Sequence, residues 1–265
     1  MENESMIKAN YHAHTTRCMH AVGTERDYVE RAILKGVRVF GFADHSPQPY
    51  PAGFVSGMRM PMEELPNYAR VVRGLAEEYS REITIHLGLE AEYMPGMFDE
   101  LMRRADDAGV EYFILGQHFL GPEYEGKYCG RETGDAELLH RYVELTGEGM
   151  ATGRFAYFAH PDLMHYVGDP EIYERETHKL CRYAKKYRMP LEINLLGIAT
   201  HRHYPNPDFW RIVGEEGCDV IWGMDAHKPE AIGDERAEAA AQALSDRFGL
   251  QIVRYLPMDA GVFEE

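Results

Sequence analysis

The sequence predicts an α/β fold, a β/α barrel in a single domain over residues 1–265. Two observations carry this. Short apolar runs alternate with longer amphipathic ones, which is the signature of βα units and a parallel sheet. The apolar runs also end, one after another, on metal-ligand or polar residues: His12 and His14, Asp44-His45, Glu90, His118, His160, Asn194, and Asp225 with His227. In a β/α barrel the C-terminal strand ends meet on one face, so residues spread along the whole chain would share one pocket.

The strands expected are Met6–Tyr11, Val37–Phe42, Ile83–Leu89, Tyr112–Leu115, Phe155–Phe158, Leu191–Ile193 and Val220–Trp222. A weaker eighth run, Leu250–Tyr255, either closes the barrel or packs outside it. Between them, Thr24 caps one helix, with Asp27 completing a capping box and Gly36 following the last turn. Further helices are expected at Met62–Tyr79, Phe98–Ala108, Asp135–Met150, Pro170–Tyr187, Pro207–Glu216 and Ala231–Phe248. Pro170 and Pro207 stand where first-turn prolines belong. The long loops Ser46–Pro61 and Gly121–Gly134 follow strands two and four, on the side that shapes substrate access.

Composition bounds the function. The chain has 265 residues, 45% of them hydrophobic, enough for one full core. A net charge of −16 argues against a nucleic-acid backbone as main partner, since no basic excess is available to displace counterions. Cys18, Cys129, Cys181 and Cys218 form no C-x-x-C pair, which fits a reducing compartment better than a disulfide scaffold. The opening segment MENESMIKAN has no apolar h-region, and no run reaches membrane-spanning length. A soluble, cytoplasmic protein is expected, of open oligomeric state. Phosphate-loop, nucleophile-elbow and dinucleotide fingerprints are all absent from the sequence.

The chemistry lies in the strand ends. Alternate residues of an extended segment point the same way, so His12 and His14 can reach one ion. Asp225-Ala226-His227 repeats that spacing. Asp44 either orients His45 or begins a turn. Glu90 and Glu92 have the same parity; Glu90 is preferred because it lies nearer the apolar run. Singly, each histidine is more often a core or loop residue than a ligand. Falling after successive strands, they form a pattern. His86, His140, His165 and His178 are read as structural or surface residues, and His201 and His203 as rim residues. Histidine with carboxylate suits zinc, manganese or iron, and there are too many such groups for one tetrahedral ion.

The set HAH with His20, FADHS, GLEAEY, GQHF, AHPDL, EINLLG and GMDAHKPE resembles the PHP (polymerase and histidinol phosphatase) family, over about Asn10 to Gly233. GMRMPMEEL and EINLLG…YPNPDF point to its histidinol-phosphate phosphatase branch. The resemblance implies a distorted (β/α)7, TIM-like barrel with three divalent ions of zinc, manganese or iron. His12, His14, Glu90 and Asp225 would hold the first. Glu90 would bridge to a second, held by His118 and His160. His20, His45 and His227 would hold the third. Asp44, Glu90, Asp225 and His227 become the candidate catalytic residues. The implied activity is hydrolysis of a small phosphomonoester, L-histidinol phosphate, in histidine biosynthesis. Another small phosphoester or phosphopeptide, and a non-catalytic metal- or ligand-binding barrel, are the alternatives. Arg59 is the candidate phosphate clamp, because guanidinium matches phosphate geometry, and Glu92 a candidate for the amine end. Branch relatives often carry an arginine soon after the EIN-x-x-G turn. Ala199 occupies that slot here, with His201 or Arg202 as replacements.

Overall fold

The computed structural model describes residues 4–263. Eight strands run parallel in sequence order: β1 (Ala9–Asn10), β2 (Val39–His45), β3 (Thr84–Ala91), β4 (Tyr112–Leu115), β5 (Tyr157–Phe158), β6 (Leu191–Asn194), β7 (Asp219–Gly223) and β8 (Gln251–Ile252). The sheet curls so that its ends meet. Beyond β1 and β7, Ala13 pairs in parallel with Ala226. His14 N–H donates to the Ala226 carbonyl at 2.9 Å, and Ala226 N–H to that of His12 at 3.3 Å. At the opposite end β8 pairs with the first two residues of β7. Among the described residues the β1–β7 seam is therefore joined at its C-terminal end only. The expected seven strands are present, and the weak eighth run supplies β8, a two-residue flank rather than a full stave.

The helices are α1 (Glu25–Leu34), α2 (Leu65–Glu78), α3 (Phe98–Ala108), α4 (Ala136–Ala151), α5 (Pro170–Tyr187), α6 (Leu195–Ala199), α7 (Pro207–Glu216), α8 (Glu235–Phe248) and the single turn α9 (Ala260–Phe263). The Thr24–Asp27 capping box forms as expected. Two starts differ from expectation. Residues 62–64 form a 3-10 turn, and α2 begins beside Pro66, whose missing N–H suits a first turn. Gly233 adopts φ +72, so α8 starts only after it, capped by Asp234. None of the helices is long and apolar enough to cross a membrane, among the described residues. The four cysteines are buried free thiols.

Alternation within the strands divides the core in two. One cluster fills the barrel with Tyr11, Val39, Ala43, Tyr112, Ile114 and Tyr157 among others. The larger cluster packs the helices against the outer faces, with Phe40, Phe42, Leu87 and Leu89 on that side. Tyr112 spans the interior: its hydroxyl lies 2.8 Å from the Tyr11 carbonyl oxygen and 3.2 Å from that of Phe42. A Cβ on Gly41 or Gly88 would fall 2.1 or 2.2 Å from this side chain, so those inward positions admit only glycine.

The N-terminal mouth of the barrel is closed by the C-terminal segment. Tyr11 donates its hydroxyl to Asp259 at 2.7 Å and accepts Leu256 N–H at 3.0 Å. His86, an inward residue of β3, lies 2.8 Å from Asp259 and 2.7 Å from Glu111 through its two ring nitrogens. Burial lowers its pKa, but hydrogen bonds to Asp259 and Glu111 outweigh this and raise it to about 9. A pKa raised in the folded state gives stabilisation that is complete below the unfolded value and lost as pH rises through the folded one. His86→Ala should therefore lower stability by about 2 kcal/mol near neutral pH. In urea melts, the gap between wild type and variant should shrink from about pH 7 to about pH 10. A gap independent of pH would mean that His86 acts by packing alone.

Candidate metal centre

Every strand-end residue singled out from the sequence lies at the C-terminal mouth. His45 ends β2, Glu90 lies one residue before the end of β3, and His118, His160 and Asp225 follow β4, β5 and β7 closely. Glu90 is the hub. Its Oε1 lies 2.8 Å from His160 Nε2 and 3.5 Å from His118 Nε2. Its Oε2 lies 2.8 Å from His45 Nδ1, 3.5 Å from His14 Nε2 and 3.7 Å from His12 Nε2. The two oxygens thus face two different sets of imidazoles. Asp225 Oδ1 lies 3.0 Å from His14 Nε2 and 3.4 Å from His12 Nε2. A Cβ on Gly116 would sit 2.0 Å from Glu90 Oε1, so glycine there makes room for the carboxylate. His160 and Asp225 adopt left-handed backbone, φ 32 and 47, a strained conformation for residues with a Cβ.

A second layer orients the first. His12 Nδ1 lies 2.7 Å from Glu192 Oε1, so its Nδ1–H donates outward and Nε2 faces the site. Glu192 Oε2 accepts His160 N–H at 3.0 Å and Asn194 Nδ2 at 2.9 Å, and Asn194 Nδ2 also reaches Asp225 Oδ2 at 3.0 Å. Glu192 went unread in the sequence, although it shares parity with Asn194 two residues on. Asp44 stands behind His14, 3.5 Å from its Nδ1, and accepts the N–H groups of Thr15 and His45. It is fully buried and positions His14, rather than the His45 ring as one sequence reading had it. It does not line the cavity above the cluster.

The charges are sorted accordingly. Burial opposes ionisation of Glu90, but His118, His45 and His12 hold its carboxyl well below the usual range; His12, His14 and His227 do the same for Asp225. Burial lowers the pKa of His12, which Glu192, Asp225 and Glu90 more than reverse, leaving it well above its ordinary value. Burial and the neighbouring His14 push His45 well below the ordinary value and His227 down to about 3.

This donor set fits metal ions. Glu90 Oε2 and Asp225 Oδ1 are buried and make no aligned hydrogen bond, although imidazole nitrogens stand 2.8 and 3.0 Å away. His12 Nε2 and His14 Nε2 approach to 3.2 Å, and His20 Nε2 and His227 Nε2 to 3.0 Å. Ligands of a tetrahedral ion with ~2.0–2.1 Å bonds lie about 3.4 Å apart. Several groups, including His12–His160–Asp225, His12–His14–Glu90 and His14–His45–His227, have ligand atoms within 4.8 Å of one another.

The PHP domain family matches residues 10–195. The chain belongs to the PHP family. A protein of Deinococcus radiodurans named "Probable histidinol-phosphatase" is 31% identical over 242 residues, covering 87% of this chain and 90% of that one. The histidinol-phosphatase of Bacillus subtilis is 32% identical over 121 residues, 43% of this PHP chain and 45% of its own. A crystal structure of histidinol phosphate phosphatase from Lactococcus lactis, complexed with zinc, L-histidinol and phosphate, superposes with a TM-score of 0.70 at 19% identity, covering 95% of this chain and 96% of the other. That likeness establishes a shared fold.

A cavity of about 360 Å³ opens over the cluster, walled by Met58, Tyr128, Leu163, Leu196, Arg202 and Tyr204. The three substrate-binding candidates separate here. Arg202 faces the cavity, its Nη1 2.6 Å from the Tyr204 hydroxyl. His201 is exposed and does not line it. The reason is α6, which the sequence reading did not foresee. Asn194 caps this short helix, and its end turns His201 outward and Arg202 inward, with Arg202 N–H bonded to the Gly197 carbonyl at 3.0 Å. Arg59 also stands outside the cavity lining. It is 2% exposed, bidentate to Glu92 at 2.7 and 3.1 Å, and bonded to Glu123 at 3.1 Å. Its guanidinium ties the loop after β2 to β3 and to the loop after β4. Glu92 is held by the same pair. Arg59→Met, which leaves buried Glu92 with only His118 Nδ1 at 3.6 Å in place of its guanidinium partner, should destabilise by about 3–5 kcal/mol. Adding Glu92→Leu should restore most of that in denaturant melts. A phosphate clamp would instead lose substrate affinity at unchanged stability.

Proposed function

We propose that this PHP-family chain is a metal-dependent phosphomonoesterase acting on L-histidinol phosphate. One observation carries the metal reading: the two oxygens of Glu90 face separate histidine sets, as a carboxylate bridging two ions requires. The nearly full-length relative from Deinococcus radiodurans supports the choice of substrate. In this reading His12, His14, Glu90 and Asp225 hold one ion, Glu90, His118 and His160 a second, and His20, His45 and His227 a third. Zinc, manganese and iron all suit this donor set, and zinc is favoured because the Lactococcus lactis enzyme is complexed with it.

Bound ions supply an activated water at neutral pH and offset charge on the phosphoryl group. The chain's own groups do the rest. Glu192 keeps the Nε2 lone pair of His12 aimed inward, and Asp44 braces His14. Arg202 presents its guanidinium to phosphate oxygens from the cavity wall, in the region where relatives place an arginine and this chain has Ala199. Leu163, Leu196 and Tyr128 line the space above the cluster with apolar surface, which lowers its polarity and strengthens charge interactions at its base.

Two experiments test this. Protein loaded with zinc should carry more than one ion per chain, and Glu90→Gln should lower occupancy of two ions together in elemental analysis. At most one ion in fully loaded wild type defeats the multinuclear reading. Metal-loaded enzyme should also turn over histidinol phosphate faster than p-nitrophenyl phosphate. Arg202→Ala should raise KM for histidinol phosphate about tenfold or more, matching loss of a charge-assisted hydrogen bond. Equal rates on both substrates remove the narrow assignment and leave the phosphoesterase one.

A further inference from the structure

Cys18 has no part in the ligand sets above, yet it lies against one of them. It closes the 3-10 turn Thr16–Cys18, which Thr15 caps and left-handed Met19 ends, φ 66. That reversal folds His20 back over Cys18, with His20 Nδ1 2.5 Å from the Cys18 carbonyl oxygen. Nδ1–H therefore donates to the carbonyl, and the free lone pair of His20 is on Nε2, 3.0 Å from His227 Nε2. His227 Nδ1 is engaged in the same way, 3.0 Å from the Asp225 carbonyl oxygen. Two imidazole lone pairs facing each other repel unless a cation lies between them. Cys18 Sγ is within 4.8 Å of ligand atoms of both histidines.

A buried cysteine is ordinarily a small apolar filler. The surroundings of Cys18 are not those of a filler. It is 0% exposed. Besides His20 and His227, its sulfur is grouped within 4.8 Å with His14 and Asp44. Burial, with Asp44 beside it, pushes the Cys18 thiol up to about 12, and the backbone N–H groups of His20 and Ala21 only partly offset this; a bound cation is what would hold it as a thiolate near neutral pH. Asp225 Oδ1, 3.3 Å from His227 Nδ1, is a buried acceptor that makes no aligned hydrogen bond. Facing lone pairs beside an unsatisfied carboxylate oxygen are arranged for a cation, with the sulfur in its reach.

We propose that Cys18 ligates, as a thiolate, the ion that His20 and His227 would hold; this rests on the metal-site reading above. On binding, the S–H bond breaks and its proton leaves to solvent. A sulfur–metal bond replaces one metal–water bond, and no electron is transferred. The consequence is selectivity. A thiolate favours thiophilic zinc over manganese, so this position would be soft in a centre otherwise built from imidazole and carboxylate.

The test uses the whole protein reconstituted with cobalt(II) in place of its native ions. Fully loaded wild type should show a near-ultraviolet sulfur-to-cobalt charge-transfer band. Cys18→Ser should lose the band, and Cys129→Ser should keep it. Cys18→Ser should also surrender one zinc ion to a chelator at least about tenfold more readily. Zinc K-edge absorption on wild type needs no variant: a sulfur shell at about 2.3 Å is expected beside nitrogen and oxygen at about 2.0–2.1 Å. Absence of the band and of the sulfur shell in fully loaded wild type overturns the proposal, as does a Cys18→Ser protein that retains zinc like wild type. Intact turnover of histidinol phosphate without the band defeats this proposal alone. The band without turnover defeats the phosphatase reading alone.

Discussion

A carboxylate removed from water must be met by positive charge or by strong hydrogen bonds, or its ionised form is lost. Glu90 is buried at the mouth of a barrel, and the rest of the mouth is arranged around that demand. Five histidines stand within 3.7 Å of its two oxygens, drawn from the ends of four strands. Gly116 is glycine because the carboxylate needs its space. The left-handed backbone of His160, whose N–H bonds Glu192, delivers a ring to Oε1. Without a cation the cluster is a compromise, with some imidazoles forced neutral and others drawn towards protonation. A cation resolves that conflict, since every ligand then takes its deprotonated form.

Support comes from a second ring of acids that never reaches the cavity. Glu192 and Asp44 act through His12 and His14, and Asn194 links Glu192 to Asp225. These residues are fully or almost fully buried. Their hydrogen bonds set which ring nitrogen points inward, a matter on which ligand chemistry depends as much as on the ligands themselves. The aromatic and glycine interior beneath, centred on Tyr112, is a rigid floor for both rings.

The strand ends were legible because a parallel barrel converts sequence order directly into spatial order. Once the apolar runs were placed, His12, His14, His45, Glu90, His118, His160, Asp225 and His227 followed by position alone, with family resemblance adding His20 and the grouping. What was not legible depended on partners distant in sequence. Arg59 has the chemistry of a phosphate clamp, and only the fold reveals that Glu92 and Glu123 already occupy it. His201 and Arg202 are neighbours whose directions are set by a five-residue helix too short to leave a periodic signal. Glu192 sat inside a quoted motif, but its importance comes from a histidine at the other end of the chain.

That last point bears on how the molecule is made. The seam joins Ala13 to Ala226, and the residues on either side of it, His12 and His14 with Asp225 and His227, are separated by about two hundred residues of sequence. A chain emerging from the ribosome carries its first histidines long before their counterparts exist. The centre cannot reach its full donor complement until residue 227 has been synthesised and the ring has shut. Capture of an ion by the full set would then be a late event that locks the seam. Closure of the largest loop in the topology, with its entropic penalty, would be coupled to the arrival of metal.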